Sequence, residues 1–152
     1  MARDRAHVKD NDVQRERLRS FVAKATDADL ARPMPAGWTV AAVLGHLAFW
    51  DQRALILLER LQKDPKATPG TMTELDVEWI NDAGKPFLLA AAPRRAAEMA
   101  VAAAEAVDRA VSSLSDDFIA RNSAFAQPIV LRRAEHRQEH LDEIERELGR
   151  RG

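Results

Sequence analysis

The residues of this chain best suited to chemistry are its four histidines. His136 and His140 stand four positions apart, so on a helix they share one face. Two imidazoles so placed can chelate one divalent ion, each nitrogen lying at about 2.0–2.1 Å if the metal is zinc. His46 sits midway along the most apolar stretch of the chain, between Leu44 and Phe49. A buried imidazole needs a hydrogen bond or a metal, because an unpaired polar group in a core costs on the order of 1–3 kcal/mol. Taken alone, such a histidine is more simply a core residue bonded to a backbone carbonyl. Three inward histidines on two helices point instead to one shared site. His7 lies in a charged N-terminal arm and reads as an ordinary surface residue.

Three neutral imidazoles leave coordination positions open, the layout of a catalytic rather than a closed structural site. Water would fill those positions and be acidified by the metal. Ligand type alone admits zinc and nickel. The chain has no cysteine and no tyrosine, so any metal is held by nitrogen and oxygen, and any thiol must come from solution. His136 to His140 also spells H-x-x-E-H, the inverted zinc-peptidase signature. That likeness covers only these five residues, and the forward form fails because Arg137 comes directly after His136.

The elements that must position these residues are helices. Alanine, leucine, glutamate and arginine dominate, β-branched runs are absent, and no alternating strand pattern of useful length occurs. The periodicity predicts a first helix from about Asn11 to Ala25, with Leu18, Phe21, Val22 and Ala25 as its stripe. Pro33, Pro35 and Gly37 then break the helical pattern. Thr39 is a natural N-cap for a second helix reaching about Gln62, and from Val40 to Trp50 that helix is apolar nearly all round. A short helix is expected over Glu74 to Asn81, broken by Gly84 and Pro86. A long one runs from Pro93 to Leu114, with Ala97, Ala100, Ala104, Val107 and Val111 as its stripe. The last is expected from Pro128 to Leu148, with Pro128 in its first turn. At 100° per residue, Ile129, His136, His140 and Ile144 fall in a sector roughly 100° wide. Glu135, Asp142, Glu145 and Arg146 lie towards solvent. The fold class read from this pattern is an all-α four-helix bundle, a single domain over residues 1–152.

Composition bounds the partners. With 152 residues, 46% hydrophobic and 31% charged, the chain can build an ordinary core, and its net charge of −1 gathers neither nucleic acid nor an anionic membrane. The N-terminus, Met1 to Asp12, has no apolar segment of the secretory kind. Val40 to Trp50 falls short of the roughly 20 apolar residues that span a bilayer. A cytoplasmic protein acting on a small molecule is the expectation. The apolar second helix and the alanine-rich third predict a symmetric homodimer through a helical face.

Certain of these segments resemble a known family. Gly37-Trp38-Thr39-Val40, then Val43-Leu44-Gly45-His46-Leu47 and Trp50-Asp51, are similar to the second-helix signature of the DinB-like superfamily. Glu135 to Ile144 resembles its fourth-helix histidine pair, and Glu78 to Asn81 a short helical segment between them. The superfamily includes the N-terminal domain of mycothiol-dependent maleylpyruvate isomerase. The resemblance implies a four-helix bundle with an up-down-down-up course, often dimeric. It implies a divalent metal, commonly nickel or zinc, on His46, His136 and His140. It also implies transfer or isomerisation reactions that use a low-molecular-weight thiol such as mycothiol, bacillithiol or glutathione. On that reading Arg133 could pair with a carboxylate of the cosubstrate, against the plainer role of a side chain snorkelling to solvent. Glu139 and Glu143 could orient an imidazole or move a proton, against the plainer role of a solvated face. Trp38 and Trp50 are expected to pack. The leading expectation is a metal-dependent thiol S-transferase or isomerase. The alternatives are a metal-dependent hydrolase with bound water as nucleophile and a non-catalytic bundle that sequesters a ligand.

Overall fold

The computed structural model describes residues 4–149; the ends of the charged N-terminal arm and of the single domain expected over 1–152 lie outside them. The helices are α1 (Ala6–Lys24), α2 (Asp27–Ala31), α3 (Val40–Lys63), α4 (Glu74–Ala90), α5 (Pro93–Ser112), α6 (Asp116–Ser123) and α7 (Ala134–Gly149). The long helices α1, α3, α5 and α7 pack against one another as a DinB-like bundle.

Local chemistry explains most boundaries. Thr39 accepts a hydrogen bond from the Ala42 amide at 3.1 Å and so caps α3 as its type predicts. Thr26 with Asp29, and Thr73 with Asp76, form reciprocal capping boxes that start α2 and α4. Between α2 and α3 a miniature antiparallel hairpin pairs β1 (Pro33–Met34) with β2 (Trp38–Thr39). Its turn needs left-handed backbone, supplied by Gly37 at φ 80° and by Ala36 at φ 61°.

The helix boundaries depart from expectation in three places. First, α1 begins at Ala6, with the Asp4 carboxylate accepting from the Ala6 amide, so His7 lies inside a helix and is half-buried. Second, α4 runs through Gly84 and Pro86 rather than ending at Asn81. Its capping box and its docking on α3 offset a proline penalty of about 3 kcal/mol. The carbonyl that Pro86 leaves unbonded belongs to exposed Asp82, where water can serve it. Third, α7 begins at Ala134, six residues after Pro128. Two buried asparagines hold the intervening segment out of the helix. The Asn122 side chain donates to the Ile129 carbonyl and accepts from its amide, both at 2.9 Å. Asn11 donates to the Leu131 carbonyl and accepts from the Ala134 amide, also at 2.9 Å, capping α7 from across the bundle. Ile129 is buried as the stripe requires, but from a segment outside the helix.

Two apolar clusters fill the interior. One joins Leu18, Leu30, Val40, Leu44, Leu47, Ala97, Ala100, Leu141 and Ile144. The other joins Ala54, Leu58, Leu61, Val107, Val111, Leu114, Phe118 and Ile129. By length and composition alone α3 could cross a membrane, yet twelve of its residues are buried in these clusters and around Asp51. The large apolar side chains left exposed include Leu75, Trp79 and Phe87 of α4 and Phe49 and Ile56 of α3.

Helix α4 lies along α3 and roofs one side of the bundle. Trp50 of α3 donates its indole hydrogen to Asn81 of α4 at 2.9 Å. A Cβ built on Gly45 would stand 2.9 Å from Leu88 Cδ2, so the bare glycine admits this close approach.

Candidate metal centre

His46 comes from the middle of α3, and His136 and His140 from successive turns of α7. The His46 and His136 Nε2 atoms lie 3.2 Å apart, and the His140 and His136 Nε2 atoms 3.1 Å apart. One ligand nitrogen from each ring falls within 4.8 Å of the other two, so the group could hold a metal ion. A tetrahedral ion bonded at about 2.05 Å would set its ligand nitrogens about 3.3 Å apart, close to the observed spacing. The site also passes a chemical test. Among the described residues no hydrogen bond from outside the trio reaches its Nε2 atoms, and a neutral ring carries only one N–H, so three nitrogens aimed at one point cannot satisfy one another.

The electrostatics keep these rings in their metal-binding form. Burial, with His140 adding to it, lowers the His46 pKa to about 4. Burial lowers His136 to about 3, helped by His140, His46 and the neighbouring cations Arg133 and Arg137. Both imidazoles are therefore neutral at pH 7, as metal ligands must be.

Aromatic rings and a carboxylate surround the trio. Trp38 and Trp50 present edges or faces to His46 with ring centroids at 5.8 and 6.5 Å, so both pack directly against a site residue. Glu143 Oε2 lies 3.4 Å from His140 Nδ1 and can fix that ring's orientation. Glu139 is exposed, and lines a cleft of about 780 Å³ together with Arg133, His136, Trp50 and Val130. On the other side a cleft of about 420 Å³ is walled by Met34, Pro35, Trp38 and Val43 and rimmed by Glu78, Asp82 and Glu143. His46, His140 and Asn81 line both clefts, so the trio stands where the two meet.

Arg133 neither snorkels out nor stands free in the cleft. Its Nε donates to Asp51 Oδ1 at 2.8 Å, and its side chain is 11% exposed. Asp51 in turn receives Arg137, which is fully buried and also donates to both oxygens of Asp108 at 2.7 and 2.8 Å. Arg15 of α1 closes the chain on Asp108 at 2.8 Å. Sequence reasoning passed over these residues, although a signal was present. Ala134, Arg137, Leu141, Ile144 and Leu148 recur at steps of three and four, which puts an arginine on the core seam of α7. Asp51 likewise interrupts the seam of α3 between Leu47 and Ala54.

A family model described as the mycothiol maleylpyruvate isomerase N-terminal domain matches residues 12–145, from within α1 to within α7, and so takes in all three histidines. No curated protein and no solved structure matches the chain.

Proposed function

The chain belongs to the mycothiol maleylpyruvate isomerase N-terminal domain family, and from that premise we propose that it is a divalent-metal-dependent enzyme using a low-molecular-weight thiol, of the S-transferase or isomerase type. The observation that carries this reading is the convergence of three ring nitrogens, 3.1–3.2 Å apart along the chain of contacts, at the junction of two clefts.

His46, His136 and His140 would hold the ion, zinc or nickel by ligand type. When bound, such an ion supplies Lewis acidity that favours the thiolate of a thiol at neutral pH. The chain's own groups do the rest. Glu143 orients His140 through Nδ1. Burial of His46 and His136 holds them unprotonated, leaving their lone pairs free. Trp38, Met34, Pro35 and Val43 offer an apolar wall to one reactant. The larger cleft, with Arg133 and Glu139, takes the other. Access from two sides favours a two-reactant transfer over the hydrolase alternative, in which one organic substrate meets water. With no cysteine in this sequence, a thiol used at the site would come from solution as a cosubstrate.

The test starts with protein purified without a metal-binding tag and analysed for metal. Calorimetric titration of a thiol such as glutathione or mycothiol into zinc-loaded protein is expected to saturate, while metal-free protein gives no heat. Turnover of activated esters without thiol would replace this reading by the hydrolase. Stoichiometric binding of an electrophile with no turnover in any thiol would replace it by the sequestering bundle.

A further inference from the structure

Two of the three candidate ligands are spaced by the geometry of one helix, but the third is not. His136 and His140 share α7, so their separation is set by its pitch. His46 belongs to α3, and its nitrogen reaches 3.2 Å from His136 only if α3 and α7 hold one register. Metal coordination tolerates errors of about 0.2 Å in ligand distance. The apolar cluster that holds Leu44, Leu47, Leu141 and Ile144 is non-directional and does not by itself define position that finely.

A directional tie exists next to the trio. Asp51 lies five residues after His46 on α3, about 7.5 Å along the axis at 1.5 Å per residue. One of its oxygens accepts from Arg133 Nε at 2.8 Å, and the other from Arg137 Nη2 at 3.2 Å and Nε at 3.4 Å. Arg133 and Arg137 bracket His136 in the chain, three residues before it and one after. The carboxylate of α3 is thus gripped on both oxygens by residues that precede and follow His136 in the chain. Charge-assisted bonds of this kind fix angle as well as distance. Asp51 has a second effect. Both arginines lie within three residues of His136, and a divalent cation there would meet their positive charge unless carboxylates offset it.

We propose that Asp51, through Arg133 and Arg137, is the positioning residue of the histidine site, locking the register of α3 against α7 and neutralising the cations beside it. This rests on the metal-site reading above, and the experiment separates the two. The contrast is Arg15, which pairs with the far carboxylate, Asp108, from α1 and touches neither Asp51 nor a histidine.

Cobalt(II) is the probe, titrated into metal-free protein and followed by its visible spectrum, with melting temperature measured on the same samples. Binding by the parent chain with a tetrahedral-type band establishes the site; no cobalt binding by the parent removes the metal reading and this proposal with it. Given parental binding, Asp51→Asn should weaken cobalt affinity by about 10–100-fold, the usual effect of removing a partner that orients ligands, and should shift or diminish the band. Arg15→Gln should lower the melting temperature yet keep affinity within about twofold and leave the band unchanged. Should Asp51→Asn fail to fold, Arg133→Gln, which removes the better-exposed arm, is expected to weaken cobalt about tenfold in folded protein. The proposal is overturned if folded Asp51→Asn or Arg133→Gln binds cobalt like the parent, or if Arg15→Gln loses cobalt as severely.

Discussion

The histidine trio and the arginine–aspartate cluster sit side by side on α3 and α7, yet the protein treats them in opposite ways. In the arginine cluster nearly every polar edge is answered from within. Arg137 donates to Asp51, to Asp108 and, at 3.4 Å, to the Asn11 carbonyl. In the histidine cluster the inner nitrogens meet only each other, and burial keeps His46 and His136 neutral. Burial of polar groups is therefore no sign of function by itself. A satisfied set holds the fold together, whereas a convergent set left incomplete by the protein has a place for something else.

The largest effect should come from breaking the satisfied set. Arg137→Met takes from buried Asp51 and Asp108 the partner they share, and removing one side of a buried pair costs about 3–5 kcal/mol. Urea denaturation of the metal-free protein measures it. A loss below about 1 kcal/mol would mean that the network does not hold the helices.

Breaking the incomplete set should cost little until metal is present. His140→Ala should leave metal-free stability within about 1 kcal/mol of the parent, since the apolar clusters are untouched. The parent should gain about 2.7 kcal/mol when free zinc stands at 100 times its Kd, and the variant nothing. Thermal melts with and without zinc compare the two; a variant that keeps the zinc shift would dissolve the three-histidine site.

The smallest effect separates the clusters by pH. His46 and His136 titrate near 4 and 3 in the fold, against 6.5 unfolded. Below 6.5 the unfolded chain takes up protons that the native state refuses, so stability falls as pH drops towards 4 and rises again with pH. The two rings together should remove about 1.4 kcal/mol between pH 7 and 6. Denaturation of metal-free protein at both values tests this, and the slope should flatten in His46→Gln/His136→Gln. The arginines stay charged throughout and contribute no slope of their own.

Much of this was legible before any coordinates. The i, i+4 pair His136 and His140 and the apolar run around His46 are local patterns, and a helix converts such spacing directly into a shared face. Thr39 as cap and the proline break before α3 are local for the same reason. The start of α7 was not legible, because Pro128 carries a helix-start signal that two buried asparagines override, Asn122 from seven residues before Ile129 and Asn11 from the far end of the chain. Gly84 and Pro86 mark a break that the docking of α4 on α3 suppresses. The arginine on the α7 seam was visible as a residue, but its carboxylate partners stand 86 and 29 positions away.

Propensity and periodicity act within a few residues, and they suffice for the all-α class, for which helices carry the histidines and for which face of each turns inward. Tertiary packing alone brings the Nε2 atoms of His46 and His140 to 3.2 and 3.1 Å from that of His136, ties Arg133 to Asp51, and makes two clefts meet at the trio. Those are relations between segments far apart in the chain. They depend on helix register and side-chain packing, to which local spacing is blind.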